Sequence, residues 1–308
     1  DSVDVQPIRT PSAMNSAYQM VMLWNGQFGG TGPNVGTEAQ WTPGTPKETN
    51  ELGFEGIETQ AIAGLKVHRM EIDEELMQSL GYFTKFNEVF SDRPEAERCT
   101  KETAGLAIAA YERTLLANRA PFQLWLRGYT QAMSEQEKIG AIHFFETAQC
   151  GNCHMGPALN SMAFHGYGML NLSDNDLNII NRNENASENR GRGGFTGNPA
   201  DNYKFKVPQL YNLLSSPHYG HGGNFHSISE VVDYKNQGVK ENMEVPDGQL
   251  APDFQPLGLT ENQVEAITAF LSTGLYDAEL QRYTPVSIPS GNCFPNNDTP
   301  SRQDLGCE

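Results

Sequence analysis

The sequence predicts a mainly α-helical fold, and three observations carry that prediction. Two capping boxes, Ser134 with Glu137 and Thr260 with Gln263, each open an amphipathic run. Apolar residues recur at helical spacing after both: Ile139, Ile142 and Phe145 in the first run, Val264, Ile267, Phe270 and Leu271 in the second. Little of the chain alternates with the period of two that a half-buried strand requires.

Taken in order, residues 1–50 are rich in Gly, Thr, Pro and Asn and read as irregular loop. GIETQAIAGLKVHRM predicts a short helix, Asp73–Leu80 another, and the segment around Tyr82–Phe90 a third. The clearest helix of the first half is expected at Lys101–Ala117, with Ile108, Tyr111 and Leu115 on one face. Pro121 follows its end and Phe122–Leu126 adds a short apolar run. A domain junction is expected near 128–133, before the Ser134 helix that leads to Cys150. Residues 171–201, packed with Asn, Asp, Ser, Gly and Arg, read as a long surface loop. Gly274 closes the last helix, and no internal repeat is present.

Composition bounds the function. Apolar residues make up 38% and charged residues 19%, a globular balance. The net charge of −17 argues against nucleic acid and against an anionic membrane surface, and suits a basic protein partner. No stretch approaches the ~20 apolar residues that span a bilayer. No leader pattern is visible at Asp1, so either one was removed or the numbering starts inside a longer precursor.

The five cysteines fall into three sets. Cys293 and Cys307 lie in a tail of little regular pattern, which a disulfide between them would pin. Cys99 is left over and reads as a small buried residue or a spare thiol. Cys150 and Cys153 open the run C-G-N-C-H. Two thiols at this spacing can each add across one vinyl group of a haem, and His154 then supplies an imidazole nitrogen to the iron. Zinc would need two more ligands at matching spacing, and no second C-x-x-C exists. A thioredoxin-like pair follows a strand, whereas this motif follows a helix. Covalent haem with a disulfide fits a periplasmic or otherwise secreted protein.

With these residues in view, the chain resembles the dihaem cytochrome c peroxidase family, which includes tryptophan-modifying relatives. RTPSAMNSAY with LWNGQ, ETQAIAGLKVHRM, AYERTL with FQLWLRG, the haem segment EKIGAIHFFETAQCGNCHMGP, and KFKVPQLYNLLSSPHYGHGGNFHSISEVV each resemble a family segment, in the family's order. The resemblance implies residues 131–285 as a cytochrome c-like haem domain. It implies 1–130 as the remainder of a second, loop-rich helical domain of the same type, and 286–308 as the pinned tail. It also implies a second haem where peroxide reacts, whose C-x-x-C-H would lie upstream of RTPSAMN and is absent here. Trp24 stands where the family relays electrons between haems. Glu71 is the expected catalytic carboxylate, with Met70 at the closest matching position and Gln60 and His68 nearby. Arg9 replaces the asparagine of the family's calcium site, which argues against calcium.

By the same resemblance His221 lies near the haem, and Lys235 matches the distal iron ligand. Tyr234 and Met169 are the alternatives, and Met243 is another soft donor. His143 reads as a partly exposed residue of the helix before the haem, and His165, His218 and His226 read as loop or packing residues. Two functions of different class follow. One is an oxidoreductase that reduces hydrogen peroxide with electrons from a small cytochrome or cupredoxin, or that oxidises a protein side chain, with a homodimer as the expected assembly. The other is a non-enzymatic monohaem electron-transfer or structural cytochrome.

Overall fold

The structure is a computed structural model that describes residues 8–174, 185–291 and 303. Cys293 and Cys307, and with them the expected disulfide, lie outside the described residues. Nine α-helices and one two-stranded sheet are present among those described. Residues 8–55 form loops and short 3-10 turns, as composition predicts. Helices α1 (Gly56–Val67), α2 (Glu74–Ser79), α3 (Phe83–Val89) and α4 (Lys101–Glu112) follow. Then come α5 (Pro121–Leu126), α6 (Glu135–Ile142), α7 (Arg192–Thr196), α8 (Ile228–Gln237) and α9 (Glu261–Ala269). Both α6 and α9 continue into a π-helical turn, over His143–Thr147 and Phe270–Gly274. Strands β1 (Phe164–His165) and β2 (Phe205–Lys206) pair antiparallel, Phe164 opposite Lys206. No helix among the described residues is long and apolar enough to cross a membrane.

Local chemistry sets the helix ends. Ser134 Oγ accepts from Glu137 N at 3.2 Å while Glu137 Oε2 accepts from Ser134 N at 2.7 Å, closing the expected box. At Thr260, Gln263 Oε1 accepts from the backbone N–H at 2.9 Å. Helix α4 stops at Glu112, short of the expected Ala117, because tertiary partners take the backbone beyond it. Leu115 O accepts from Asn15 N, Ala117 N donates to Asn15 Oδ1, and Asn118 N and Arg119 N both donate to Asp277 Oδ2.

The faces also differ from simple periodicity. Helix α4 buries Thr103, Ala104, Gly105 and Ala109 against α1, and Ile108 stays 39% exposed. The reason is a close approach: a Cβ on Gly105 would sit 2.8 Å from the Ile62 backbone, so only small residues fit. Likewise α6 buries Gly140, Ala141 and Glu137 and exposes Ile139 and Ile142. It crosses α9 so closely that a Cβ on Gly140 would lie 1.9 Å from Ala266 O. This crossing joins the helix that leads into Cys150 to the last long helix, and so fixes the roof of the core.

That core combines Phe144, Leu159, Leu210, Tyr211, Tyr234, Phe254, Ile267, Phe270 and Leu275 with Ala117, Ala120 and Phe122. Helix α5, ahead of the expected 128–133 junction, therefore packs into the C-terminal half. The segment expected as surface loop is partly an anchor instead. Arg192 is buried, donating to Asn34 Oδ1 at 2.7 Å and Pro33 O at 2.6 Å, with its guanidinium 4.6 Å from the Phe164 ring centre.

Candidate functional site

The α6 helix and its π turn deliver the chain to Gln149, which takes a left-handed conformation (φ 54°). A 3-10 turn over Cys150–Asn152 then brings His154 N within 2.9 Å of Cys150 O. This tight turn places both thiols and the imidazole on one cavity of about 890 Å³, lined by Cys150, Cys153 and His154. That volume is in the range of about 300–1,000 Å³ usual for cofactor sites. Its walls come from Phe144, Ile267 and Leu271 on the α6–α9 side and from Val231, Val232 and Phe254 opposite.

The donor set suits a covalent haem. Both thiols are free. His154 is oriented by its own loop: Nδ1 lies 2.9 Å from Leu159 O, so that nitrogen donates its proton to the carbonyl and Nε2 keeps its lone pair. Burial pushes the imidazole down to about 4, which keeps it neutral and able to bind a metal. The Cys150 thiol is pushed up by burial to about 11, which keeps it protonated. Cys153 Sγ lies 3.8 Å from His165 Nε2 and 3.9 Å from Asp253 Oδ2. Trp24 Nε1 is buried without a hydrogen-bond partner, and its side chain also lines the cavity.

Of the distal candidates, Lys235 lines the cavity and Tyr234 does not. Tyr234 is buried, and its hydroxyl donates to Tyr167 O at 2.5 Å. The Lys235 ammonium position is 2.7 Å from the Tyr167 ring centre and 5.6 Å from that of Phe254. Burial holds its amine well below the usual lysine range, with Asp253 and the two cysteines opposing. Met169 lines the same cavity, and Met243 is 78% exposed. His221 is buried on the wall, stacked on Phe205 at 3.6 Å, with Nε2 3.2 Å from Asn171 Oδ1. A Cβ on Gly222 would lie 2.2 Å from Leu170 O, so glycine is required there for backbone packing.

The residues expected to act on peroxide sit elsewhere. Gln60 is on α1, and His68 and Glu71 follow its C-terminus on the surface. Glu71 lies 3.8 Å from Lys101 Nζ and its side chain is 79% exposed. None of the three lines the cavity. Arg9 donates through Nε to Gly220 O at 3.0 Å and through Nη1 to Ser216 Oγ at 3.2 Å, and its guanidinium stands 5.6 Å from the Trp24 ring centre. Sequence reasoning missed Tyr167, Asp253, Gln19 and Lys206, all on the cavity wall. The signal for Lys206 was a charge inside the apolar run F-K-V.

A helical scaffold in which two thiols three residues apart and the next imidazole share one apolar cavity defines a c-type cytochrome. Residues 2–131 match the family described as di-haem cytochrome c peroxidase. Over 299 residues the chain is 27% identical to the cytochrome c551 peroxidase of Nitrosomonas europaea, covering 96% of this chain and 72% of that protein. It is 32% identical over 213 residues to the cytochrome-c peroxidase IdrP1 of Denitromonas iodatirespirans, covering 62% of this chain and 53% of the relative. It is 27% identical over 273 residues to the methylamine utilization protein MauG of Methylorubrum extorquens, covering 87% and 64%. Two solved structures share the fold. One is a MauG-like protein associated with microbial copper homeostasis, at TM-score 0.60 and 21% identity over 89% of this chain and 77% of that one. The other is the diheme peroxidase BthA of Burkholderia thailandensis, at TM-score 0.50 and 15% identity over 89% and 70%. The chain is thus similar to di-haem cytochrome c peroxidases and to MauG.

Proposed function

We propose that this chain is the haem-bearing body of an exported enzyme that reduces hydrogen peroxide, or oxidises a protein side chain, using electrons relayed through the haem on His154. The observation that carries the reading is that Cys150, Cys153 and His154 face one cavity, with the imidazole already oriented by Leu159 O. A bound haem supplies one-electron chemistry at its iron. The residues hold and tune it. Cys150 and Cys153 would hold the ring, His154 Nε2 would supply an imidazole ligand to the iron, and Lys235 would supply a neutral amine ligand. Trp24, on the same cavity, provides the aromatic relay toward a second redox centre.

Peroxide reduction needs a second, open iron site, and Gln60, His68 and Glu71 are the residues proposed to serve it. A nitrogen ligand from Lys235 favours storage of an oxidising equivalent, which supports the side-chain-oxidising variant over simple relay. The net charge of −17 suits a basic cytochrome or cupredoxin as donor, and the periplasm as compartment follows from the haem attachment. Haem count per chain by the pyridine haemochrome assay, with peroxide turnover on the purified holoprotein, tests the reading. Two haems with turnover support it. One haem without turnover replaces it with a monohaem electron-transfer cytochrome.

A further inference from the structure

The cavity wall contains a cation that the haem ligation does not use. Lys206, on β2, is 5% exposed and lines the cavity. An ammonium carries three donors, yet the one acceptor found for this one is the equally buried Gln19 Oε1. No carboxylate pairs with it among the described residues. A buried charge in that condition costs several kcal/mol unless it is paired or gives up its proton. The other cation of this region, Arg9, already spends donors on Gly220 O and Ser216 Oγ.

Position indicates what the partner is. The side chains beside the Cys153 sulfur are those of His165, with Nε2 at 3.8 Å, and Asp253, with Oδ2 at 3.9 Å. Lys206 instead has its backbone N–H on Trp24 O at 2.7 Å, and its side chain turned to Gln19. It therefore serves a part of the cavity other than the thioether edge. A haem tied through its vinyl carbons to two cysteines carries its two carboxylates on the opposite edge of the ring. We infer that Lys206, assisted by Gln19, is the counter-charge that receives a haem carboxylate at the end of the cavity away from Cys150 and Cys153. The inference rests on haem attachment and goes beyond it, because it assigns the orientation of the ring within the cavity. Burial alone pulls the lysine down to about 7, and an arriving carboxylate restores its charge.

The test uses the holoprotein and its Lys206→Met and Lys206→Arg variants, each with haem counted per chain and its midpoint potential followed from acid to alkaline pH. In the Met variant a buried carboxylate is left unpaired, so it takes up a proton in the neutral range. The expected result is a bound haem whose potential now falls as pH rises. At the alkaline end it should lie below the parent by at least about a tenfold shift in the reduction equilibrium, about 59 mV. The Arg variant should keep the parent's profile. A Met variant with haem bound and the parent's potential and slope overturns the inference. Should that variant fail to accumulate, the parent decides: its haem-carboxylate bending band in resonance Raman should shift on exchange into D₂O, as expected for an N–H donor on that carboxylate. An unshifted band overturns the inference as well. Absence of haem from the parent would instead remove the attachment reading itself.

Discussion

Replacing Gly140 by alanine adds one methyl group at the crossing of α6 and α9, and its cost can be worked from the geometry. The new Cβ would lie 1.9 Å from Ala266 O, 2.6 Å from Ala266 C and 2.9 Å from Phe270 Cβ, where ordinary contact begins at 3.4 Å. Two of these three atoms are backbone, so no rotamer change relieves the clash. The helices must separate by about 1.5 Å, which spreads Phe144 from Phe270, now 5.5 Å apart between ring centres. Overpacking of this kind costs about 1–3 kcal/mol, and a rigid backbone contact belongs at or above the upper end. The assay is the urea midpoint of the holoprotein, with Gly248→Ala as control, since a Cβ there meets nothing within 4 Å. A Gly140→Ala midpoint indistinguishable from that of Gly248→Ala would refute the crossing as described. So would normal haem incorporation at unchanged stability.

Lys235→Met should give a methionine–iron absorption band near the red edge of the oxidised spectrum, and Lys235→Ala a high-spin spectrum. Spectra unchanged in both would exclude Lys235 as ligand. His221, buried, is pushed down to about 3 from an ordinary 6.5. Between those values the unfolded chain binds a proton that the folded chain refuses, so stability falls as pH drops below about 6.5. At about pH 4.5 the loss from this residue should be ~2–3 kcal/mol, and His221→Asn should flatten the denaturation midpoint over that window. Arg192→Leu leaves Asn34 Oδ1 and Pro33 O without their charged donor, and should cost ~3 kcal/mol in chemical denaturation.

Much of the scaffold was legible because local chemistry encodes it. Ser134 with Glu137 marks a helix start to the residue, and the two cysteines and histidine of C-G-N-C-H, expected from their spacing to hold haem, line one cavity. Which helix face is buried was not legible. Periodicity favoured Ile108, Ile139 and Ile142, but backbone contact at Gly105 and Gly140 selects small residues and turns the isoleucines outward. The end of α4 was missed for a related reason, since Asn15 and Asp277 compete for its backbone from 102 and 159 residues away. Arg192 in an Asn- and Gly-rich run gave no sign of burial, because its partners at Pro33 and Asn34 are distant in sequence. Lys235 stands out in the sequence only through motif resemblance, and the structure places it beside the Tyr167 and Phe254 rings. Lys206 was not found, because an isolated lysine between apolar residues reads as a solvated edge.

Tryptic mapping of the purified holoprotein, read by intact mass and by visible absorbance of each peptide, bears on the foundation most directly. The peptide that contains Cys150, Cys153 and His154 should be the coloured one, heavier than its residues by one haem, with neither sulfur open to alkylation. A colourless peptide at the bare residue mass, with both sulfurs alkylated, would contradict the account.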